Sequence, residues 1–392
     1  MENVAVVATE AKVELVKLRV LYLLTGLAGG MFNPYLTTLL VHQGMAANYV
    51  GVMMSIGTLL SILVQPIWGL LVDRFRQTKL VLVLSISVPA IMSYFYNIEL
   101  FVVMVMVYTL SIIFQSTQSP IADSYAVSAA RKGQTSYGTV RSLGSLGTAL
   151  GGYAGGLYLS RFEITQLWMP FLALSLAGAF TVLTLSKRSE GYSAVVPLAQ
   201  GLKVLFRNRS FLLFLIACIF VNQTLTAYNS FFVLSFKSAG GSYSLVGTAL
   251  LLASLTNVPS MLLAAKILRR IGHEQTLLLA AFFYALRWAI QWMFPIPSVM
   301  VGIQVLHGLS FGLFYVAAVE YVANVSGREM QATGQSIFNM VFVGVGGIVG
   351  NLLNGYLFYT GGAQVMYLAC TISALIGAGM LYWINRIAKM SP

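Results

Sequence analysis

The chain has 392 residues, 58% of them hydrophobic and 9% charged, with a mean hydropathy of +0.82. A soluble domain carries about 25% charged residues, so this composition excludes a water-soluble globular protein. The net charge of +12 would suggest nucleic acid in a soluble chain, but here the basic residues sit mostly between apolar stretches. There they set orientation and meet anionic lipid head groups, so the expected partner is the bilayer and no nucleic acid.

Residues 1–17 carry Glu2, Glu10 and Glu14 and lack the basic-then-apolar pattern of a cleaved signal peptide. Apolar runs of roughly 20 residues then recur, each long enough to cross about 30 Å of hydrocarbon as a helix. About twelve are placed, near 17–42, 47–72, 79–97, 99–128, 135–160, 164–186, 210–236, 243–268, 275–293, 298–323, 331–359 and 363–385. The loops alternate in charge. Lys12, Lys17 and Arg19 precede the first span, and Arg74, Arg76 and Lys79 follow the second. Arg131 and Lys132, Lys187 and Arg188, Arg269 and Arg270, Arg328, and Arg386 and Lys389 follow the fourth, sixth, eighth, tenth and twelfth. The opposite loops hold only Arg161 and Lys237. That alternation predicts a multi-pass protein of the cell membrane with both termini in the cytoplasm.

The longest polar interruption, 187–209, is read as a cytoplasmic linker joining a six-helix half, 1–186, to a second, 210–392. A faint repeat agrees. An offset of 196 (269 minus 73) sets Asp73-Arg74 on Arg269-Arg270, Gly138 on Gly334 and Gly151 on Gly347. Duplicated halves with a solute site near mid-membrane are the common plan of secondary transporters. The fold class expected is therefore all-α and integral to the membrane, twelve helices in two pseudo-symmetric halves. Cys218 and Cys370 lie in separate spans and suggest neither a disulfide nor a metal site, and no cofactor is implied.

The loop after the second span reads Gly69-Leu70-Leu71-Val72-Asp73-Arg74-Phe75-Arg76-Gln77-Thr78-Lys79. Its glycine permits close helix contact, its acid can cap a helix N-terminus or bind an arginine, and its cations meet lipid. It resembles the signature loop of the major facilitator superfamily, with Arg76 where that pattern has glycine. Gly69, Asp73, Arg74 and Lys79 are the gating candidates. Spans five and eleven are lined by Gly144, Gly147, Gly151 and Gly155 and by Gly346, Gly350 and Gly355. Such rows serve either helices that rock or static close packing.

Five ionisable residues interrupt the spans: Asp123, Arg141, Arg287, His307 and Glu320. Hydrocarbon penalises charge by several kcal/mol, so such groups face a watery path or one another. Asp123 and Arg141 lie about eight residues, roughly 12 Å, from opposite ends of one cytoplasmic turn, so they share a depth and can pair. Gln115 and Ser119 precede Asp123 at i−8 and i−4, giving span four a polar stripe. Arg287 and His307 likewise share a depth some 10–13 Å below the turn containing Pro295 and Pro297. Asn222, Asn257 and Gln304 add polar groups on spans seven, eight and ten. Glu320 lies near the cytoplasmic face and has two readings, coupling or simple pairing with Arg328 or Arg269.

Over most of its length the sequence is similar to the lactose permease and phenylpropionate permease branch of that superfamily. The resemblance rests on Phe32-Asn33-Pro34-Tyr35-Leu36, Gln65-Pro66-Ile67-Trp68-Gly69, Arg270-Ile271-Gly272 and Tyr137-Gly138-Thr139-Val140-Arg141. It implies that Asp123 and Arg141 are the sugar-binding pair, that Arg287 and His307 are the helix-nine arginine and helix-ten histidine, and that Asn257 is the helix-eight asparagine. It also exposes departures. Ser310 replaces the proton-carrying glutamate, Ser254 the helix-eight acid, Thr148 the galactose-stacking tryptophan and Gln304 the helix-ten lysine.

The function expected is secondary active transport by alternating access. Proton-coupled symport of a small carboxylate, saccharide or nucleoside is the leading mechanism, with Asp123 or His307 titrating. Proton-antiport efflux is the alternative. A polytopic membrane enzyme is remote, because no nucleophile–base or metal cluster is gathered. The partners are the solute, protons and the bilayer, and the chain is expected to be monomeric. Single cysteines at Glu190 and at Gln364 should label from opposite sides of the membrane; labelling of both by an impermeant reagent in intact cells overturns the topology.

Overall fold

A computed structural model describes residues 2–75, 77–133, 135–186 and 208–390. Of the expected linker, residues 187–207 lie outside the described residues, as do Arg76 and the side chains of Asp73, Arg131, Lys132 and Arg328. Among the described residues, ten helical stretches are long and apolar enough to cross a membrane. They are α1 (Lys12–His42), α2 (Ala47–Val72), α3 (Thr78–Asn97), α4 (Phe101–Ala130), α6 (Ile164–Leu183), α7 (Arg209–Ser238), α8 (Tyr243–Ile271), α9 (His273–Met293), α10 (Pro297–Gly327) and the run Thr333–Ile387. Between α4 and α6 lies the glycine-rich helix α5 (Tyr137–Leu159). The last run turns at Gly362, whose φ of +68° only glycine adopts without strain, and so comprises α11 (333–361) and α12 (363–387). The architecture is therefore twelve membrane helices and no strand among the described residues.

Local chemistry sets several helix starts. Ser136, Asn208 and Ser242 each turn a side-chain oxygen onto an amide of the first turn of α5, α7 and α8. Proline sets one interruption. Pro120 has no N–H for the carbonyl four residues back, and α4 breaks at Ser116–Thr117 before resuming at Gln118.

The chain packs as two compact units, Met1–Met45 with Leu59–Ser193, and Ala46–Thr58 with Ala194–Pro392. In the first, Leu18, Leu82, Ala126, Val140 and Val182 are fully buried where α1, α3, α4, α5 and α6 meet. Its tightest seam runs along α1 and α5. A Cβ on Gly26 would lie 2.3 Å from the Gly144 carbonyl oxygen, one on Gly147 2.5 Å from that of Leu23, and one on Gly151 2.3 Å from that of Leu27. The helices touch backbone to backbone, and the Tyr35 hydroxyl donates to the Gly152 carbonyl at 2.7 Å. The glycine row of α5 is thus consumed in close packing inside one unit.

The second unit repeats the arrangement with α7 on α11. Cβ atoms on Gly346 and Gly350 would lie 2.9 Å from Asn222 Cβ and 2.6 Å from Thr226 Oγ1. Gln223 donates to Asn354 Oδ1 at 2.8 Å, and Asn354 donates back to the Gln223 carbonyl at 2.9 Å. Gly355 packs on the first turns of α2, 2.7 Å from the Ala47 carbonyl, and Gly51 lies 2.4 Å from that of Asn351 by the same Cβ measure. Pairing of first with fifth and seventh with eleventh helix is what duplicated halves produce.

Gly69 does not behave as its motif suggests. Nothing among the described residues lies within 4 Å of a Cβ built there, so it is not a close-contact glycine; on α2 that part falls to Gly51. Gly151→Leu should therefore abolish the folded, monodisperse fraction, since overpacking costs about 1–3 kcal/mol even where neighbours yield. Gly69→Ala should leave the melting temperature in detergent unchanged or slightly higher. A folded Gly151→Leu variant of normal melting temperature contradicts the seam.

Candidate functional site

The break in α4 delivers Asp123 to a short second segment, Gln118–Lys132, facing the first turns of α5. Arg141 stands one turn into α5, and its guanidinium meets both carboxylate oxygens of Asp123, at 2.6 and 2.7 Å. Tyr137, one turn earlier, accepts a further bond from Arg141 at 2.9 Å, and the phenol of Tyr22 on α1 donates to Asp123. Three helices thus converge on one carboxylate. The cluster is wet: the Arg141 and Asp123 side chains are 50% and 28% exposed. A pair so solvated contributes about 0–1 kcal/mol, far less than the glycine seam. It is not the clasp that holds these helices, and it opens at low cost.

The polar stripe expected on α4 is corrected by the same break. Counting i−8 from Asp123 assumes one continuous helix, and the interruption at Ser116–Thr117 removes that register. Gln115 is half-buried, Ser119 is exposed, and neither hydrogen-bonds to the Asp123–Arg141 pair.

In the second unit Arg287 is fully buried on α9. Its guanidinium donates to Gln304 Oε1 at 2.6 Å and lies 2.8 Å from His307 Nδ1. A guanidinium has donors only, so Nδ1 must accept and the ring proton sits on Nε2. Tyr228 covers both groups, with its ring 4.7 Å from the Arg287 carbon and 4.4 Å from the imidazole. Trp288 adds a second ring at 5.0 Å. Tyr228 lies in a π-helical segment of α7, Ala227–Phe231, and His307 directly precedes another in α10, Gly308–Gly312. Such segments are rare and concentrate at functional sites. Here they aim both rings at Arg287. Gly308 packs so tightly on α8 that its Cβ would meet the Thr256 carbonyl at 2.1 Å.

Other candidates stand apart. The Asn257 side-chain oxygen is buried without a hydrogen-bond partner beside Gly312. Asn222 serves the α7–α11 seam. Glu320 is exposed and makes no ion pair with any described cation, Arg269 included. Arg74 is exposed over the ring of Phe75. Lys79 caps the C-terminus of α6, donating to the carbonyls of Leu183 and, at 2.7 Å, Leu185. It thereby complements that helix dipole within its own unit.

A family model described as the MFS_1 like family matches residues 15–369. The chain belongs to this family of the major facilitator superfamily. Its relatives are transporters rather than enzymes. The chain is 28% identical to the maltose permease of Geobacillus stearothermophilus over 368 residues, 92% of each chain. It is 26% identical to the uncharacterized transporter YwbF of Bacillus subtilis over 375 residues, 94% of this chain and 92% of that one. The crystal structure of the nucleoside transporter NupG superposes with a TM-score of 0.81 at 17% identity, over 96% of this chain and 99% of that one, a likeness of fold alone.

Among this facilitator's site residues, Tyr22, Tyr228 and Trp288 escape a reading of spacing and charge. Tyr22 bonds across 101 positions of sequence, and no local pattern announces that. Tyr137 was accessible as the residue one turn before Arg141. Because the Asp123–Arg141 pair is solvated, Asp123→Leu combined with Arg141→Leu should keep the folded yield and shift stability by no more than about 1 kcal/mol. Melting temperature in detergent is the measurement, and collapse of the double variant would make the pair a structural clasp.

Proposed function

We propose that the chain is a proton-coupled symporter of the cell membrane that takes up a small organic solute by alternating access. Its two halves, 1–186 and 210–392, are joined by a cytoplasmic linker at 187–209, and both termini face the cytoplasm. The observation that carries the reading is the half-solvated cluster of Tyr22, Asp123, Tyr137 and Arg141. An ionised Asp123 holds Arg141. Protonation of Asp123 removes that charge and frees the guanidinium for the solute, so proton and solute compete through one side chain. The solute classes this supports are the saccharides and nucleosides for which the relatives are named, together with small carboxylates.

His307 is the weaker carrier. A proton on Nδ1 would face a guanidinium donor 2.8 Å away, so protonation there must first break that contact. Asp123 also meets a guanidinium, but that pair is partly exposed, so Arg141 can move aside at low cost when the carboxylate takes a proton. Uphill accumulation needs net proton movement, whereas counterflow exchange does not. Asp123→Asn should therefore lose accumulation and keep counterflow, while His307→Gln should keep both. Accumulation by Asp123→Asn with unchanged pH dependence removes Asp123 from coupling.

A further inference from the structure

Residues 194–392 contain no aspartate and three glutamates, Glu274, Glu320 and Glu329. Glu274 stands 13 residues before Arg287 on α9 (287 minus 274), and Glu320 the same number beyond His307 on α10 (320 minus 307). Each interval is roughly 20 Å of helix rise. Arg287 is thus a fully buried cation with no described acid of its own unit in reach, and the one ion pair among the described residues is Asp123–Arg141.

Its neutral partners do not exhaust it. Of five N–H donors, one is directed at Gln304 and one at His307, and Nε has no partner. Tyr284, Arg287, Trp288 and Gln291 occupy one face of α9 at i, i+3, i+4 and i+7, and all four are fully buried. The hydroxyl of Tyr284 and the indole N–H of Trp288 also lack partners. An isolated buried charge is strongly disfavoured unless it is paired, and spare donors around a cation are the chemistry that receives an anion. Tyr228, alone among the residues stacked on the guanidinium, keeps part of its surface exposed and marks the approach.

We infer that Arg287, with Gln304 and the Nε–H beside it, holds a small monovalent anion, either the carboxylate of the transported solute or an inorganic anion such as chloride. The inference rests on the transporter reading for the first source only. For the solute it narrows the class to molecules bearing a carboxylate. For chloride it makes the anion a ligand of the second unit.

The test uses the purified full-length chain in detergent, with a bulky sulfonate buffer as the sole anion. Chloride, nitrate, propionate and benzoate are titrated in at constant ionic strength, with propionamide and benzamide as neutral controls. The wild-type melting temperature should rise saturably by several degrees with anions and not with the amides. Response to carboxylates alone assigns the solute's own group; response to chloride, in competition with carboxylates, assigns a resident inorganic anion. Arg287→Gln should lose the response. Should that variant fail to fold, Gln304→Glu places a carboxylate on the same guanidinium and should be equally indifferent to anions. No anion response in the wild type, or an undiminished one in Gln304→Glu, overturns the inference. Binding is read without transport, so a protein that accumulates solute yet ignores anions separates failure here from failure of the proposed function.

Discussion

Charge placed in an apolar medium must be answered locally, and this constraint shapes both units of the chain. The bilayer core offers no water to satisfy a stray guanidinium or carboxylate, so each must find a partner, a ring or a wet path. The first unit answers Arg141 with Asp123 and the Tyr137 phenol, and Asp123 in turn accepts from the Tyr22 phenol on α1. The second answers Arg287 with a neutral amide, a neutral imidazole and two aromatic faces. One solution is neutral and half-solvated; the other keeps a full positive charge in a dry setting.

That asymmetry gives the halves different electrostatics despite their shared helix plan. A solvated ion pair exchanges partners cheaply, which is what the proposed competition of proton and solute at Asp123 and Arg141 requires. A buried cation held by neutral groups stays charged and fixed, which suits the holding of a negative group. The rigidity needed to present these clusters comes from elsewhere. Backbone-to-backbone contact of α1 with α5, and the close approach of α7 to α11, provide the frames that hold these clusters in place. Small residues give this closeness because hydrocarbon supplies no hydrophobic force between helices, leaving packing and hydrogen bonds to hold them.

Departures from regular helix are placed where side chains must be aimed. Pro120 breaks α4 just before Asp123, and π-helical segments carry Tyr228 and succeed His307. All three π-helical segments among the described residues fall in the second unit, the third being Met340–Val345 on α11. A widened turn rotates one side of a helix against the other, so a ring that a regular helix would carry past Arg287 is brought onto it.

Sequence alone determined the membrane class and the twelve spans, and it set Asp123 level with Arg141 and Arg287 level with His307, because hydropathy and helix rise act locally and need no partner to be known. The matched depths of Asp123 with Arg141 and of Arg287 with His307 come from counting residues between turns. Tertiary structure decided the rest. Tyr22 reaches Asp123 across 101 positions, and Tyr228 reaches Arg287 from another helix, contacts that no spacing encodes. The glycine row of α5 is compatible with rocking or with rigid packing when read as a string; only the carbonyls of α1 lying against it select packing. Gly69 and the stripe through Gln115 show the converse, since a motif and a register both presume neighbours or continuity that folding did not supply. Periodicity says which face of a helix is special, but the partner of that face is settled by the packing of the whole unit.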